Sequence, residues 1–298
     1  MRDTMKELLH KLEQEVPIVQ VTSYDHDVRK VYMDSSLRLL HLLKESEAIT
    51  QRQYQTIHKI RNKINQIWIN YLYGRVNTAS SQMQNLLKWK LDQATMLDYL
   101  SKEKACHHLY RGRCSTKPFD QIDAFYHIPF TMRYLIGNQR YSLSGIPCLY
   151  LAGSIPCVQA ELNYPKTADL QLCSFHSLAP RKLLDLSEGY QELNQQEQDA
   201  AAFLYTLPLK LACSIWAKDN QQGSFKTNYV IPQLITATLY NMNTDLEGIC
   251  FSSIKGAALP YEDRCNYVFL PQYRIHERYD QQLLAKFQIS FLKDSAVR

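Results

Sequence analysis

The sequence predicts an α+β protein: a helical first hundred residues, followed by a part that mixes short strands with helices. Three observations predict it. Of nine glycines and eleven prolines, only Gly74 and Pro17 fall within the first hundred residues. All eight cysteines lie beyond residue 105. Ile57, Ile60, Ile64, Ile67 and Tyr71 recur at three- and four-residue steps, the apolar stripe of a helix. A stretch without breakers reads as helices joined by short polar links, whereas closely spaced Gly and Pro punctuate short elements. The boundary is expected near residue 102, giving a helical region over 1–102 and a second domain over 103–298.

Within the helical region, Val28, Tyr32, Leu39 and Leu43 sketch a second apolar stripe. A third helix is expected from about Ser80 to Tyr99, with Leu86, Trp89 and Met96 among its apolar positions. Such helices pack as a bundle. Between Ala48 and Leu91 stand seven Lys or Arg and no acidic residue. One reading is a solvated basic face beside an intramolecular core. The other is a binding surface for an acidic partner or for another copy of the chain, a homo-oligomer. Nucleic acid is not expected, because helical spacing already accounts for Trp68, Tyr71 and Trp89.

The formal charge of the 298 residues is +5, too mild to demand a polyanionic partner. No apolar run of 18 residues is present, so no membrane span is expected. The charged start Met1-Arg-Asp-Thr-Met-Lys-Glu7 lacks the apolar core of a signal peptide, and a cytoplasmic location is expected. The cysteines should then stay reduced. Cys106-His107-His108 with Cys114 lacks the paired spacing of structural zinc sites, and no metal is expected.

The stretch from Arg140 to Glu161 carries the chemistry. Gly145, Ile146 and Pro147 mark a turn, and Cys148–Ala152 reads as a buried strand. Ser154 suits an N-cap with Pro156 in the first turn of a helix that runs through Glu161. That order brings Arg140, Tyr150 and Glu161 within reach of one cleft. A guanidinium clasps phosphates, a tyrosine ring stacks on a flat heterocycle, and a carboxylate stabilises the cation formed when a glycosidic bond breaks. Spacing alone does not select this reading. Arg140 as a surface ion pair, Tyr150 as core and Glu161 as an exposed helix charge fit the same residues.

Arg140-Tyr-Ser with Gly145, Leu149-Tyr-Leu-Ala152 and Ala160-Glu161 together resemble the core motif of the RES domain family. Upstream, Leu109-Tyr-Arg111 resembles the family's opening arginine strand. Downstream, Tyr229–Gln233, Gly248-Ile-Cys-Phe-Ser-Ser253 and Asn266–Pro271 follow in the family's order. The resemblance implies a fold similar to ADP-ribosyltransferases, with a split mixed β-sheet, and a toxin that depletes NAD as its substrate, without a bound cofactor. It implies Arg140, Tyr150 and Glu161 as the catalytic group, with Arg111, Ser253 and Asn266 binding NAD; Ser252 beside Ser253 leaves one position open. It also implies a protein antitoxin as partner. Two departures bear on this. Many family members have Arg-Trp-Asn where this chain has Arg140-Tyr141-Ser142, and the small toxins lack a hundred-residue helical region. Two other functions fit: transfer of ADP-ribose to a protein or nucleic acid, and a non-catalytic binding module working through the basic helices.

Overall fold

A computed structural model describes residues 3–166, 169–191, 193, 197–219 and 223–292. The chain begins with α1 (Asp3–Glu15), β1 (Gln20–Thr22), α2 (Val28–Glu45), α3 (Gln51–Leu72) and α4 (Val76–Leu87). The short pair β2 (Lys90–Leu91) and β3 (Ala94–Thr95) precedes α5 (Met96–Leu100). Then come β4 (Ser101–Lys104), β5 (Leu109–Cys114), β6 (Leu149–Ala152), α6 (Ile155–Glu161), β7 (Leu170–Ser177) and β8 (Arg181–Asp185). The chain continues with α7 (Glu197–Cys213), β9 (Ile215–Ala217), α8 (Val230–Asn241), β10 (Gly248–Ser252), β11 (Cys265–Phe269), α9 (Gln281–Leu284) and β12 (Phe287–Phe291). The class is α+β, with a largely helical N-terminal region ahead of the sheet.

These elements form two compact units. The helical unit comprises Met1–Leu100, Asn138–Tyr141 and Glu188–Thr244; the sheet unit comprises Ser101–Gly137, Ser142–Ser187 and the chain from Asp245 on. Residues 188–244, which the sequence reading gives to the second domain, therefore pack with the N-terminal helices. Linear punctuation does not report such a return of the chain.

In the helical unit, α3 starts with a reciprocal cap: Thr50 Oγ1 accepts from Gln53 N (3.2 Å) while Gln53 Oε1 accepts from Thr50 N (2.7 Å). Its stripe Ile57, Ile60, Ile64 and Ile67 is buried, as are Val28, Tyr32, Leu39 and Leu43 of α2. Both helices pack on α7. There Phe203, Leu204, Leu207 and Leu211 are buried, as apolar residues spread around a central helix must be. The third expected helix is two helices. After α4 the chain forms the β2–β3 pair, in which Asp92 takes a positive φ of 35°. A new cap then opens α5: Thr95 Oγ1 accepts from Asp98 N, and Asp98 Oδ2 accepts from Thr95 N. Trp89 thus lies outside any helix.

The sheet unit holds eight strands in the order β12-β7-β5-β6-β11-β10-β8-β4. The β8–β10 pair is parallel and the rest are antiparallel, so the sheet is mixed. Strands β5 and β6 share only the pair Tyr110↔Ala152, so the ladder is thinnest between its two parts. One face buries Leu109, Phe125, Leu149, Leu151, Phe175 and Phe269. The other carries α6, where Cys157 and Val158 pack with Ala152, Leu170 and Leu172. Gly112 admits that helix, since a Cβ there would sit 2.4 Å from Val158 Cγ1.

Gly248 opens β10 under a tighter constraint, because a Cβ would lie 2.1 Å from Val268 O on the paired strand. Gly248→Ala must spread the β10–β11 ladder, and we expect it to cost about 3 kcal/mol. A urea midpoint equal to that of the wild type would contradict this. Among the described residues, no helix is long and apolar enough to cross a membrane.

Candidate active site

Strand β6 aims its side chains alternately to the two faces. Leu149 and Leu151 enter the first core, which leaves Tyr150 and Ala152 on the face that carries α6. Tyr150 is half-buried, and its hydroxyl lies 3.0 Å from Ser142 Oγ. After β6 the chain turns at Gly153, whose N–H donates to Cys265 O (2.7 Å). Ser154 then caps α6: its Oγ accepts from Cys157 N (3.1 Å) and donates to Asp263 O (2.6 Å). The helix stops at Glu161 because Asn163 and Tyr164 adopt positive φ, 59° and 52°. Tyr164 N bonds back to Gln159 O (2.7 Å), which closes the last turn. The acidic side chain is thus placed at a helix end by a cap on one side and a left-handed turn on the other.

Glu161 Oε1 accepts two hydrogen bonds, from Ser253 Oγ (2.6 Å) and from Asn266 Nδ2 (2.7 Å). Both donors are nearly inaccessible, Ser253 at 0% and Asn266 at 6%. Ser253 Oγ in turn accepts from Gly256 N (2.8 Å), which orients its proton toward the carboxylate. Asn266 is oriented by Cys157, whose thiol donates to its Oδ1 (3.4 Å). Burial, with the charge of Glu161 next, pushes that thiol up to about 12, so it remains a donor at neutral pH. The second carboxylate oxygen of Glu161 has no hydrogen-bond partner among the described residues. One oxygen is anchored and the other is presented.

The sequence left the serine open between two positions, and it is Ser253 that meets the Glu161 carboxylate. Ser252 Oγ donates to Ser187 O (3.1 Å), away from the carboxylate that Ser253 meets. Two contributors were not found from sequence. Cys157 gave no signal beyond an apolar helix position. Lys255, whose Nζ donates to Glu161 O (2.8 Å), stands in a stretch that reads only as a turn.

Arg140 and Arg111 are not gathered into this cluster. Arg140 belongs to the helical unit, where Nη1 donates to Cys213 O (2.7 Å) and Nη2 to Ile215 O (3.1 Å), with the guanidinium over the Tyr229 ring. A guanidinium has five N–H donors, so three remain beyond these two bonds. Arg111 pairs with Cys173 and shares the face of Leu109, opposite α6, because a step of one residue along a strand changes the face. Its Nη1 is buried without a partner, and burial, with Arg113 next, lowers the guanidinium to about 10. Gln233 bonds Asn138 and Gln139 within the helical unit, a structural role. His107 and His108 lie against His176, and among the described residues no three His, Cys, Asp or Glu side chains gather to hold a metal ion.

A mixed sheet that carries a capped helix, and a helix-end glutamate bound by a serine and an asparagine from two other segments, define an α+β protein with one prepared carboxylate. Residues 112–285, more than half of the chain, match the RES domain, and the chain belongs to that family. The Bacillus subtilis (strain 168) protein named Putative toxin YopC is 26% identical over 261 residues, which cover 81% of this chain and 59% of that relative. The chain thus spans about three-fifths of the length of the curated relative it matches. No solved structure matches it. Tyr150, Glu161, Ser253 and Asn266 all fall inside the matched segment, whereas the helices before Ser101 lie outside it.

Proposed function

We propose that this protein is a RES-type toxin that degrades NAD by cleaving the bond between nicotinamide and ribose. The observation that carries the reading is the Glu161 carboxylate, with one oxygen held by Ser253 and Asn266 and the other free of partners among the described residues. As the glycosidic bond breaks, its electron pair leaves with nicotinamide and the ribose becomes an oxocarbenium-like cation. A fixed carboxylate stabilises that charge without having to reorganise. In this reading Tyr150 positions the nicotinamide ring. Water or inorganic phosphate completes the reaction, giving ADP-ribose or its 1-phosphate. Arg111 is given no part in this reading, since it faces the other side of the sheet. The name of the Bacillus relative supports the toxin part of the reading. A cytoplasmic site of action and a protein antitoxin as partner follow from the same reading.

Expression in a bacterial host tests it. The wild type should lower cellular NAD and arrest growth, and Glu161→Gln should do neither. Growth arrest with NAD intact would overturn the reading. NAD labelled in its adenosine half separates the acceptors: label in small molecules fits hydrolysis or phosphorolysis, whereas label on protein or nucleic acid would make the protein a transferase.

A further inference from the structure

On α1 and α2 acidic and basic residues interleave, and Lys11 pairs with Glu45, Lys30 with Asp34 and Arg38 with Glu15. Helix α3 differs: it carries Arg52, Lys59, Arg61 and Lys63 and no acidic residue. Arg61 is taken up in packing, since its Nε donates to Ser36 Oγ (3.1 Å) on α2. The other three are exposed and stand seven and four residues apart, so they share one line that runs about 16 Å along the helix. After α4 the chain returns beside this line. Asp92 reaches Arg52 at 3.9 Å, and Lys63 Nζ lies 5.1 Å from the centre of the Trp89 ring. Trp89 is half-buried, and the exposed Lys88 and Lys90 flank it in sequence. Asp92 is the one carboxylate that meets the line among the described residues, and it also accepts from the Tyr205 hydroxyl. Of the 34 Lys and Arg, seven stand in residues 48–91 without an acidic residue, so the 29 acidic residues elsewhere exceed the remaining 27 cations.

Like charges one turn apart, as Lys59 and Lys63 are, repel and destabilise a helix. A face that needs only solvation gains from mixed signs, as α1 and α2 have. A partner that brings a row of carboxylates relieves the repulsion and is steered to the face by it. Nucleic acid also brings a row of anions, but single strands bind on open aromatic faces, and Lys63 covers one face of Trp89. An acidic helix carries carboxylates at the same four- and seven-residue steps and can lay them along α3. We propose that the Arg52–Lys59–Lys63 line, with Trp89 beside it, is a docking surface for an acidic helical segment of another protein. These residues lie outside the segment that matches the RES domain, so the proposal does not rest on the NAD reading.

Fluorescence anisotropy of the full chain with a labelled helical peptide of Glu, Ala and Leu, its glutamates four and seven residues apart, tests the surface. The wild type should bind it, and more weakly as salt rises. Lys59→Glu with Lys63→Glu should weaken binding about tenfold or more, whereas Lys59→Arg with Lys63→Arg should keep it. Lys44→Glu with Lys102→Glu, an equal change of net charge elsewhere, should leave it within about threefold. No binding by the wild type would overturn the surface. So would unchanged binding by the first pair, or an equal loss in both charge-reversed pairs, with circular dichroism unaltered. Tighter binding of a single-stranded oligonucleotide of equal charge would give the line to nucleic acid. A dimer that only Lys59→Glu with Lys63→Glu dissolves would give it to a second copy of the chain, and either result overturns the proposal.

Discussion

Glu161→Gln is expected to lower the rate of nicotinamide release by about a thousandfold while leaving the fold intact. The substitution separates charge from geometry. A glutamine carbonyl oxygen accepts from Ser253 Oγ and Asn266 Nδ2 as Oε1 does now, so the contacts that fix the end of α6 survive. What disappears is the negative charge that, in the proposed reaction, opposes the developing ribose cation. Stability should therefore stay within about 0.5 kcal/mol of the wild type, as for a substitution that breaks no packing. Turnover within tenfold of the wild type would remove Glu161 from the chemistry. Lost turnover accompanied by a lowered urea midpoint would mean that the carboxylate matters for folding instead.

Asp185→Ala should be the most destabilising substitution considered, at about 3–5 kcal/mol. Asp185 ends β8, between β4 and β10, and is 3% exposed. Its Oδ2 pairs with Lys104 Nζ at 2.5 Å, and its Oδ1 accepts from Ser187 N (2.8 Å) and Ser187 Oγ (2.6 Å). Ser187 is itself bonded by Cys250 Sγ and Ser252 Oγ from β10. Removing the carboxylate leaves a partly buried ammonium and the buried Ser187 N–H without their acceptor, in a network that joins three strands. Asp185→Asn keeps an acceptor for Ser187 and should lose about half as much. Urea titration of the three proteins checks both figures, and equal midpoints for wild type and Asp185→Ala would contradict the network's importance.

Local patterns in the sequence carried the site's scaffold. The cap at Ser154, the strand through Tyr150 and the helix to Glu161 each follow from neighbouring residues, and the structure has all three. The buried stripes of α2 and α3 were legible for the same reason. What was not legible depends on partners distant in the chain. The choice between Ser252 and Ser253 turns on which faces Glu161 across ninety-two residues. Arg111 matches the family's pattern in sequence, yet its position along β5 sends it to the other face. The packing of residues 188–244 with the first helices leaves no mark in local composition. The interruption at Trp89 was readable, because Thr95-x-x-Asp98 is a cap motif, but the apolar spacing of Leu86, Trp89 and Met96 concealed it.

The most direct test incubates the purified protein with NAD and separates the products by chromatography. The account predicts nicotinamide in an amount equal to the NAD consumed, with the adenosine half recovered as ADP-ribose or ADP-ribose 1-phosphate. Unconsumed NAD, or cleavage at the pyrophosphate into two mononucleotides, would contradict it.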